Sequence, residues 1–387
     1  MIKFNYYIPT RIVFGCGSLE QLATLKLPGK KALIVITNGK SVRKYGYLQR
    51  VQDLLAKNGC DNVVYDKILP NPILTHVMEG AKIAKKEACD FVLGLGGGSP
   101  IDSAKSIAIM ATNPGDYWDY ISGGTGKAMP IPNRPLPIVA ITTTAGTGTE
   151  ADPWTVITHQ DRQEKIGFGY DLTYPTLSIV DPELMVTVPP HLTAYQGFDA
   201  LFHSCEGFIA NIATPVSDGY ALQAVKLVAK SLAKAVADGK DLEARTDVAL
   251  ANTLSGMNES TSSCTSEHSL AHATGALHPE IPHGAALIAI SEEYFKFFAA
   301  KVPDRIKELA KAMGKPGNSA LEFVDALVEL QKQCGVYGLK LSDYGVTYDE
   351  LPALVDNAYA TMGGLFKLDR HTLSRDETIG IMQRAFK

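Results

Sequence analysis

Three apolar runs of strand length, Lys31–Thr37 (KALIVIT), Phe91–Gly96 (FVLGLG) and Pro137–Thr142 (PIVAIT), each run into a stretch rich in glycine, serine or threonine. Between the first two, Ile73–Cys89 carries Val77, Ala81, Ile83 and Ala84 at helical spacing, with lysine and glutamate on its other side. Strand, glycine-bearing turn and amphipathic helix in repetition predict a parallel sheet with crossover helices. Runs without polar alternation suit strands covered on both faces.

The pattern changes near residue 185. After Asp181-Pro182-Glu183-Leu184 and the break Val188-Pro189-Pro190, nearly every segment reads as helix: Thr193–Ala210, Val216–Asp238, Leu242–Met257, Ser319–Cys334 and Ser374–Phe386. Ser374-Arg375-Asp376-Glu377 supplies the Ser-x-x-acid signal that opens a helix. The sequence therefore predicts an α/β domain with a parallel sheet over 1–187 and an all-α helical domain over 188–387. A chain of 387 residues is too long for one small core and suits two domains.

A net charge of −4 gives no electrostatic basis for a nucleic-acid or membrane-surface partner. Runs such as Phe91–Gly98 are far too short to span a bilayer. The start, Met1-Ile2-Lys3-Phe4-Asn5-Tyr6-Tyr7, has neither an apolar secretory core nor an Arg- and Ser-rich transit composition. The six cysteines are scattered without CxxC pairs, so they read as free thiols of a cytoplasmic protein.

Gly94-Leu95-Gly96-Gly97-Gly98-Ser99-Pro100-Ile101-Asp102 follows a predicted strand and opens a predicted helix. Ser99 suits the N-cap and Pro100 the first helical position, with Asp102 three residues past the cap. Consecutive glycines let a ligand approach the backbone, and a helix N-terminus favours a phosphate. The run is not a GxGxxG fingerprint, because Ser99 fills the sixth place, and glycines alone fit a ligand-free turn equally well. A second polar loop, Thr142–Glu150, carries five hydroxyls in its first eight residues. Those hydroxyls suit phosphate, ribose or adenine edges, yet alone the segment reads as an ordinary loop.

Four of the nine histidines fall between His268 and His283. His268 and His272 are one helical turn apart and share a face, as do Asp199 and His203 on another predicted helix. Two such pairs from different helices can converge on one cation, and three imidazoles with one carboxylate suit Zn2+ or Fe2+. His76, His159, His191 and His371 stand alone and read as core or surface groups.

With these signals in place, the chain resembles the iron-containing (group III) alcohol dehydrogenase family over nearly its full length. The matching segments are Gly96-Gly97-Gly98-Ser99-x-x-Asp102-x-Ala104-Lys105, Thr143-Thr144-Ala145-Gly146-Thr147-Gly148-x-Glu150, Asp181-Pro182-Glu183-Leu184, Gly197-x-Asp199-Ala200-x-x-His203-x-x-Glu206, His268-x-x-x-His272 and Pro282-His283-Gly284. The resemblance implies a Rossmann-like N-terminal domain, a helical C-terminal domain, a cleft holding cofactor and metal, and a homo-oligomer. By motif position it implies Asp199, His203, His268 and His283 as ligands of Fe2+, with Zn2+ as the alternative ion. It likewise implies His272 as the catalytic histidine near the nicotinamide. Gly97, Gly98, Ser99 and Asp102 fall in the pyrophosphate cradle, and Thr143, Thr144, Thr147 and Lys165 at further cofactor contacts. From His268 to His283 is fifteen positions, one more than in many family members, which keeps His278 in view as the alternative last ligand.

NAD-preferring relatives commonly carry an aspartate at the strand end that here reads Thr37-Asn38-Gly39-Lys40-Ser41. No carboxylate is there to accept from a ribose 2′-hydroxyl, and Lys40 suits a 2′-phosphate, so NADP(H) is expected over NAD(H). Trp154 falls near a position where the resemblance puts a pocket-lining residue, and equally suits a core. The expected activity is metal-assisted hydride transfer between a nicotinamide and a small primary alcohol, diol or aldehyde. The alternatives are a sugar-phosphate cyclase-type lyase, which needs a basic cluster that is not seen beside the ligand motifs, and a non-catalytic binding protein.

Overall fold

A computed structural model describes residues 3–386; Met1 and Ile2, the start of the N-terminal stretch read above, and Lys387 lie outside the described residues. The chain forms two compact units. Tyr7–Thr144 with Gly148–Thr187 make the first; the described residues 3–6, the turn Ala145–Thr147 and the described residues from Val188 on make the second.

The first unit holds strands β1 (Arg11–Phe14), β2 (Lys31–Thr37), β3 (Asp61–Ile68), β4 (Phe91–Gly96), β5 (Ile138–Thr142), β6 (Thr155–His159), β7 (Glu164–Phe168) and β8 (Leu177–Val180). Its helices are α1 (Ser41–Lys44), α2 (Tyr47–Lys57), α3 (Leu74–Lys86) and α4 (Gly98–Met110). Six strands form one all-parallel sheet in the order β1-β8-β5-β4-β2-β3. The two-residue period of a strand sorts the side chains. Ala32, Ile34, Ile36, Phe91, Leu93 and Leu95 pack with α2 residues such as Val51 and Leu55 on one face, while Leu33, Val35 and Val92 pack with Val77, Ala81, Ala104 and Ile107 of α3 and α4 on the other.

The chain runs outward from β2 to β3 and then returns past β2 to β4. The order therefore reverses between β2 and β4, and parallel sheets bind ligands beyond the strand C-termini at such a switch point. Asn38–Ser41 follows β2, Gly97–Ser99 follows β4 and Thr143-Thr144 follows the neighbouring β5.

The structure adds strands β1, β3 and β8 that the three apolar runs do not predict, and it departs from the sequence expectation in a hairpin and a helix start. Thr155–His159 and Glu164–Phe168 form an antiparallel hairpin, β6–β7, where no strand was read. The helix α4 begins at Gly98 with Gly97 as its N-cap, so Ser99 is not the cap and Pro100 is not the first helical residue. The Ser99 hydroxyl instead donates to the Pro70 carbonyl.

The second unit is helical: α5 (Pro190–Ile209), α6 (Pro215–Ala237), α7 (Leu242–Ser262), α8 (Ser266–Leu277), α9 (His283–Lys301), α10 (Pro303–Ala312), α11 (Leu321–Gln333), α12 (Leu351–Phe366) and α13 (Arg375–Ala385). The capping box at α13 is present, with Glu377 N–H donating to Ser374 Oγ at 3.2 Å and Ser374 N–H to Glu377 Oε2 at 2.9 Å. No helix among the described residues is long and apolar enough to cross a membrane.

Candidate metal centre and nucleotide cradle

Asp199, His203 and Glu206 stand at i, i+4 and i+7 of α5, a spacing that puts all three on one face. His268 and His272 lie on α8, and His283 is the first residue of α9. Asp199 Oδ1 is the common point: His268 Nε2 lies 3.4 Å from it, His203 Nδ1 3.5 Å and His283 Nε2 3.6 Å. Asp199, His268 and His283 each turn one ligand atom into a space where those atoms lie within 4.8 Å of one another. The His203 ring stacks on that of His268, with 4.1 Å between centroids, and its Nε2 is 3.5 Å from Glu259 Oε2.

Asp199 Oδ1, His203 Nδ1 and His268 Nε2 are buried and make no hydrogen bond. Burying such atoms unpaired is costly, and a cation shared among them removes the cost. The donor set also suits Fe2+ or Zn2+. Burial, reinforced by the His268 ring, pushes His203 down to about 4 and so favours its neutral, ligating form. Burial also opposes charge on His268, but Glu206 and Asp199 outweigh it and hold that ring well above its ordinary value.

His272 is 5 % exposed, with its ring centroid 5.1 Å from that of His283. Its Nδ1 meets Met362 Sδ at 2.8 Å, where α12 breaks from helical geometry (φ −130°, ψ 34°). His278, the alternative ligand, is drawn off to Glu350, with Nε2 2.8 Å from Oε1. Thr147 belongs to this unit through the turn Ala145–Thr147; a Cβ on Gly146 would come within 2.9 Å of Gln196 Cα, three residues before Asp199.

In the first unit, Thr143 N–H donates to the Gly96 carbonyl at 2.8 Å. A Cβ on Gly97 would lie 2.9 Å from Thr144 Oγ1, so the glycine keeps space open between the two loops. The N-cap Gly97 has no side chain with which to cap α4, and an uncapped helix start favours an anion. Lys165 reaches from β7 to Asn71 Oδ1 at 3.1 Å, beside the Pro70 that holds Ser99. Asn38, Gly39, Lys40 and Ser41 are all exposed, and Lys40 is the N-cap of α1.

Asp102 is spent on the fold: its carboxylate accepts from Thr149 Oγ1 at 2.7 Å and Val156 N–H at 2.9 Å. Next to it, the fully buried Lys105 donates to Thr149 Oγ1, Asp152 and the Trp154 carbonyl. The sequence reading gave Lys105 and Asp152 no role, nor Glu206, although its i+7 spacing from Asp199 was visible. Trp154 is half-buried, packs on Gly169, and buries an Nε1 that has no hydrogen-bond partner.

A switch-point cradle on a parallel sheet and a buried carboxylate–imidazole cluster are the equipment of an oxidoreductase acting on alcohols. The chain belongs to the iron-containing alcohol dehydrogenase family, matching that family over residues 9–182 and its C-terminal domain over residues 193–386. It is 37% identical to choline dehydrogenase of Bacillus subtilis over 81% of this chain and 78% of that protein. It is 33% identical to 1,3-propanediol dehydrogenase of Klebsiella pneumoniae over 99% of both. The solved structure of an archaeal halo-thermophilic Red Sea brine pool alcohol dehydrogenase, 33% identical, superposes with a TM-score of 0.94 over the whole of both chains. The sugar-phosphate cyclase alternative gains no support from these relatives.

Proposed function

We propose that the chain is an NADP(H)-dependent oxidoreductase that interconverts small primary alcohols or diols with their aldehydes, using Fe2+ held by Asp199, His203, His268 and His283. The observation that carries the reading is the single carboxylate oxygen of Asp199 with three imidazole nitrogens 3.4 to 3.6 Å away, where Asp199, His203 and His268 are buried. A divalent ion there supplies Lewis acidity toward an alcohol or carbonyl oxygen, and the dinucleotide supplies the hydride carrier. Zn2+ is the alternative ion for the same donors.

The chain's own residues do the rest. His272, braced at Nδ1 by Met362, takes the hydroxyl proton at Nε2 and returns it in the reverse direction. Gly97, Gly98 and Ser99 receive the pyrophosphate at the start of α4, with Thr143, Thr144, Thr147 and Lys165 as further contacts. Asp102 serves the cofactor by fixing the loop at Thr149 rather than by touching it. Asn38, Gly39, Lys40 and Ser41 meet the adenosine ribose, where an exposed lysine and no acid favour a 2′-phosphate. Trp154 narrows the substrate pocket. Choline and propane-1,3-diol, after which two relatives are named, are both primary alcohols. We place the protein in the cytoplasm as a homo-oligomer; its six cysteines are free thiols.

The test is absorbance at the reduced-nicotinamide band, with the protein loaded with Fe2+ or Zn2+ and given a panel of short alcohols and aldehydes. Turnover with metal and none after chelation supports the proposal; tight cofactor binding with no turnover on any of them contradicts it. Light scattering after size exclusion tests the oligomer.

A further inference from the structure

Glu206 is fully buried on α5, and its two carboxylate oxygens do different things. Oε1 contacts Nδ1 of His268. Oε2 accepts from Thr265 N–H at 2.8 Å, Thr265 Oγ1 at 3.0 Å and His268 N–H at 3.3 Å. Thr265 is the N-cap of α8 but its own side chain caps nothing, so Glu206 satisfies the start of that helix from outside. The same carboxylate therefore fastens both the backbone that carries His268 and the ring itself.

A neutral imidazole that donates from Nδ1, the form a metal ligand takes, keeps its lone pair on Nε2. For His268 that nitrogen is the one 3.4 Å from Asp199 Oδ1, and it is buried with no hydrogen bond of its own. Other acids lie close by but do not share this role. Glu267 is fully buried with neither carboxylate oxygen hydrogen-bonded, and burial, reinforced by Glu206, holds it well above the usual carboxylate range.

We propose that Glu206 is the positioning residue of the metal centre: it locks His268 in the Nδ1–H tautomer, aims Nε2 at the ion and supplies a second buried negative charge to balance a divalent cation. This rests on the metal-site reading above. Outer carboxylates that hold a ligating histidine raise its basicity and fix its orientation, and their loss costs about 10–100-fold in metal affinity. A residue that only capped α8 would affect helix stability and leave the ion alone.

The experiment uses the whole chain, selectively labelled with 15N-histidine and loaded with Zn2+, beside E206Q. In the wild type, His268 shows a strongly downfield Nδ1–H proton and a zinc-shifted Nε2. In E206Q that proton moves upfield and Zn2+ dissociation rises about 10–100-fold, while NADPH binding is unchanged. E206Q with wild-type Zn2+ affinity and a lower apo Tm makes Glu206 a helix cap only and overturns the inference, while the metal reading stands. Should E206Q not fold, the wild-type spectrum decides: zinc on Nδ1 with Nε2 protonated overturns it. A wild type that binds no Zn2+ removes the metal reading and this inference together.

Discussion

Asp199 Oδ1 stands 3.4 Å from His268 Nε2, and neither of these buried atoms has a hydrogen-bond partner. Buried polar atoms left without a hydrogen bond in a dry interior are costly, and a cation shared between them removes that cost. The metal should accordingly act as a folding ligand. Stripping it with a chelator is expected to lower Tm, and adding Fe2+ or Zn2+ at 100 times the dissociation constant should restore about 2.7 kcal/mol. In His268→Ala the metal-dependent shift should vanish. A full shift in that variant would return His268 to the core.

Asn38 follows β2, with its N–H donated to Ile68 O at 2.8 Å and the residue exposed. With no carboxylate at that strand end, kcat/KM should be higher with NADPH than with NADH. Asn38→Asp should cut the NADPH-to-NADH ratio by about tenfold, equivalent to about 1.4 kcal/mol. Arg43 is held by Asp66 at 2.6 Å, so Lys40→Ala should weaken NADPH more than Arg43→Ala does. A wild-type preference for NADH would show this reading to be wrong.

Gly97→Ala should act on the cofactor rather than on the fold. Its Cβ would fill space 2.9 Å from Thr144 Oγ1, at a glycine with an ordinary negative φ of −83°. NADPH should bind about tenfold more weakly, or about 1.4 kcal/mol, with Tm nearly unchanged. Isothermal titration of NADPH into the metal-loaded protein reads its affinity and stoichiometry. Unaltered NADPH affinity would remove Gly97 from the cradle.

Asp369 supplies a pH dependence of stability. Burial, only partly offset by Ser266, raises it to about 7, with Glu206 as a further raising charge and Tyr294 and Thr265 packed beside it. A raised carboxyl contributes stability that is fully present below its unfolded value near 4 and is lost as pH rises through 7. Asp369→Asn keeps the oxygen that faces Ser266 N–H and cannot ionise. Relative to the wild type, its stability should therefore gain about 2 kcal/mol between pH 5 and pH 8. Urea unfolding at the two pH values checks this; a constant difference would contradict it.

What could be read from the sequence follows from what is local. β2, β4 and β5 are continuous apolar runs, and the pair Asp199/His203 is set by helical spacing alone. β1 is a four-residue edge strand whose apolar run, Ile12-Val13-Phe14, is shorter than the others, and β6–β7 turns through Gln163 at φ 52° rather than through a glycine. Three glycines before Ser99-Pro100 leave the start of α4 undetermined in sequence; in the structure Gly97 is extended and the helix begins at Gly98. Buried charges such as Lys105 and Glu206 look like surface residues in sequence, because their partners lie 47 and 62 positions away.

Metal content and turnover in Asp199→Ala together test the central claim. The variant removes the one atom that all three histidine nitrogens approach. Elemental analysis should find the divalent ion bound in the wild type and less than a tenth as much in the variant. Aldehyde-dependent NADPH oxidation should fall at least 1,000-fold, since each tenfold loss corresponds to about 1.4 kcal/mol of lost transition-state stabilisation, while NADPH still binds. An Asp199→Ala protein that keeps its metal and turns over at the wild-type rate would contradict the account.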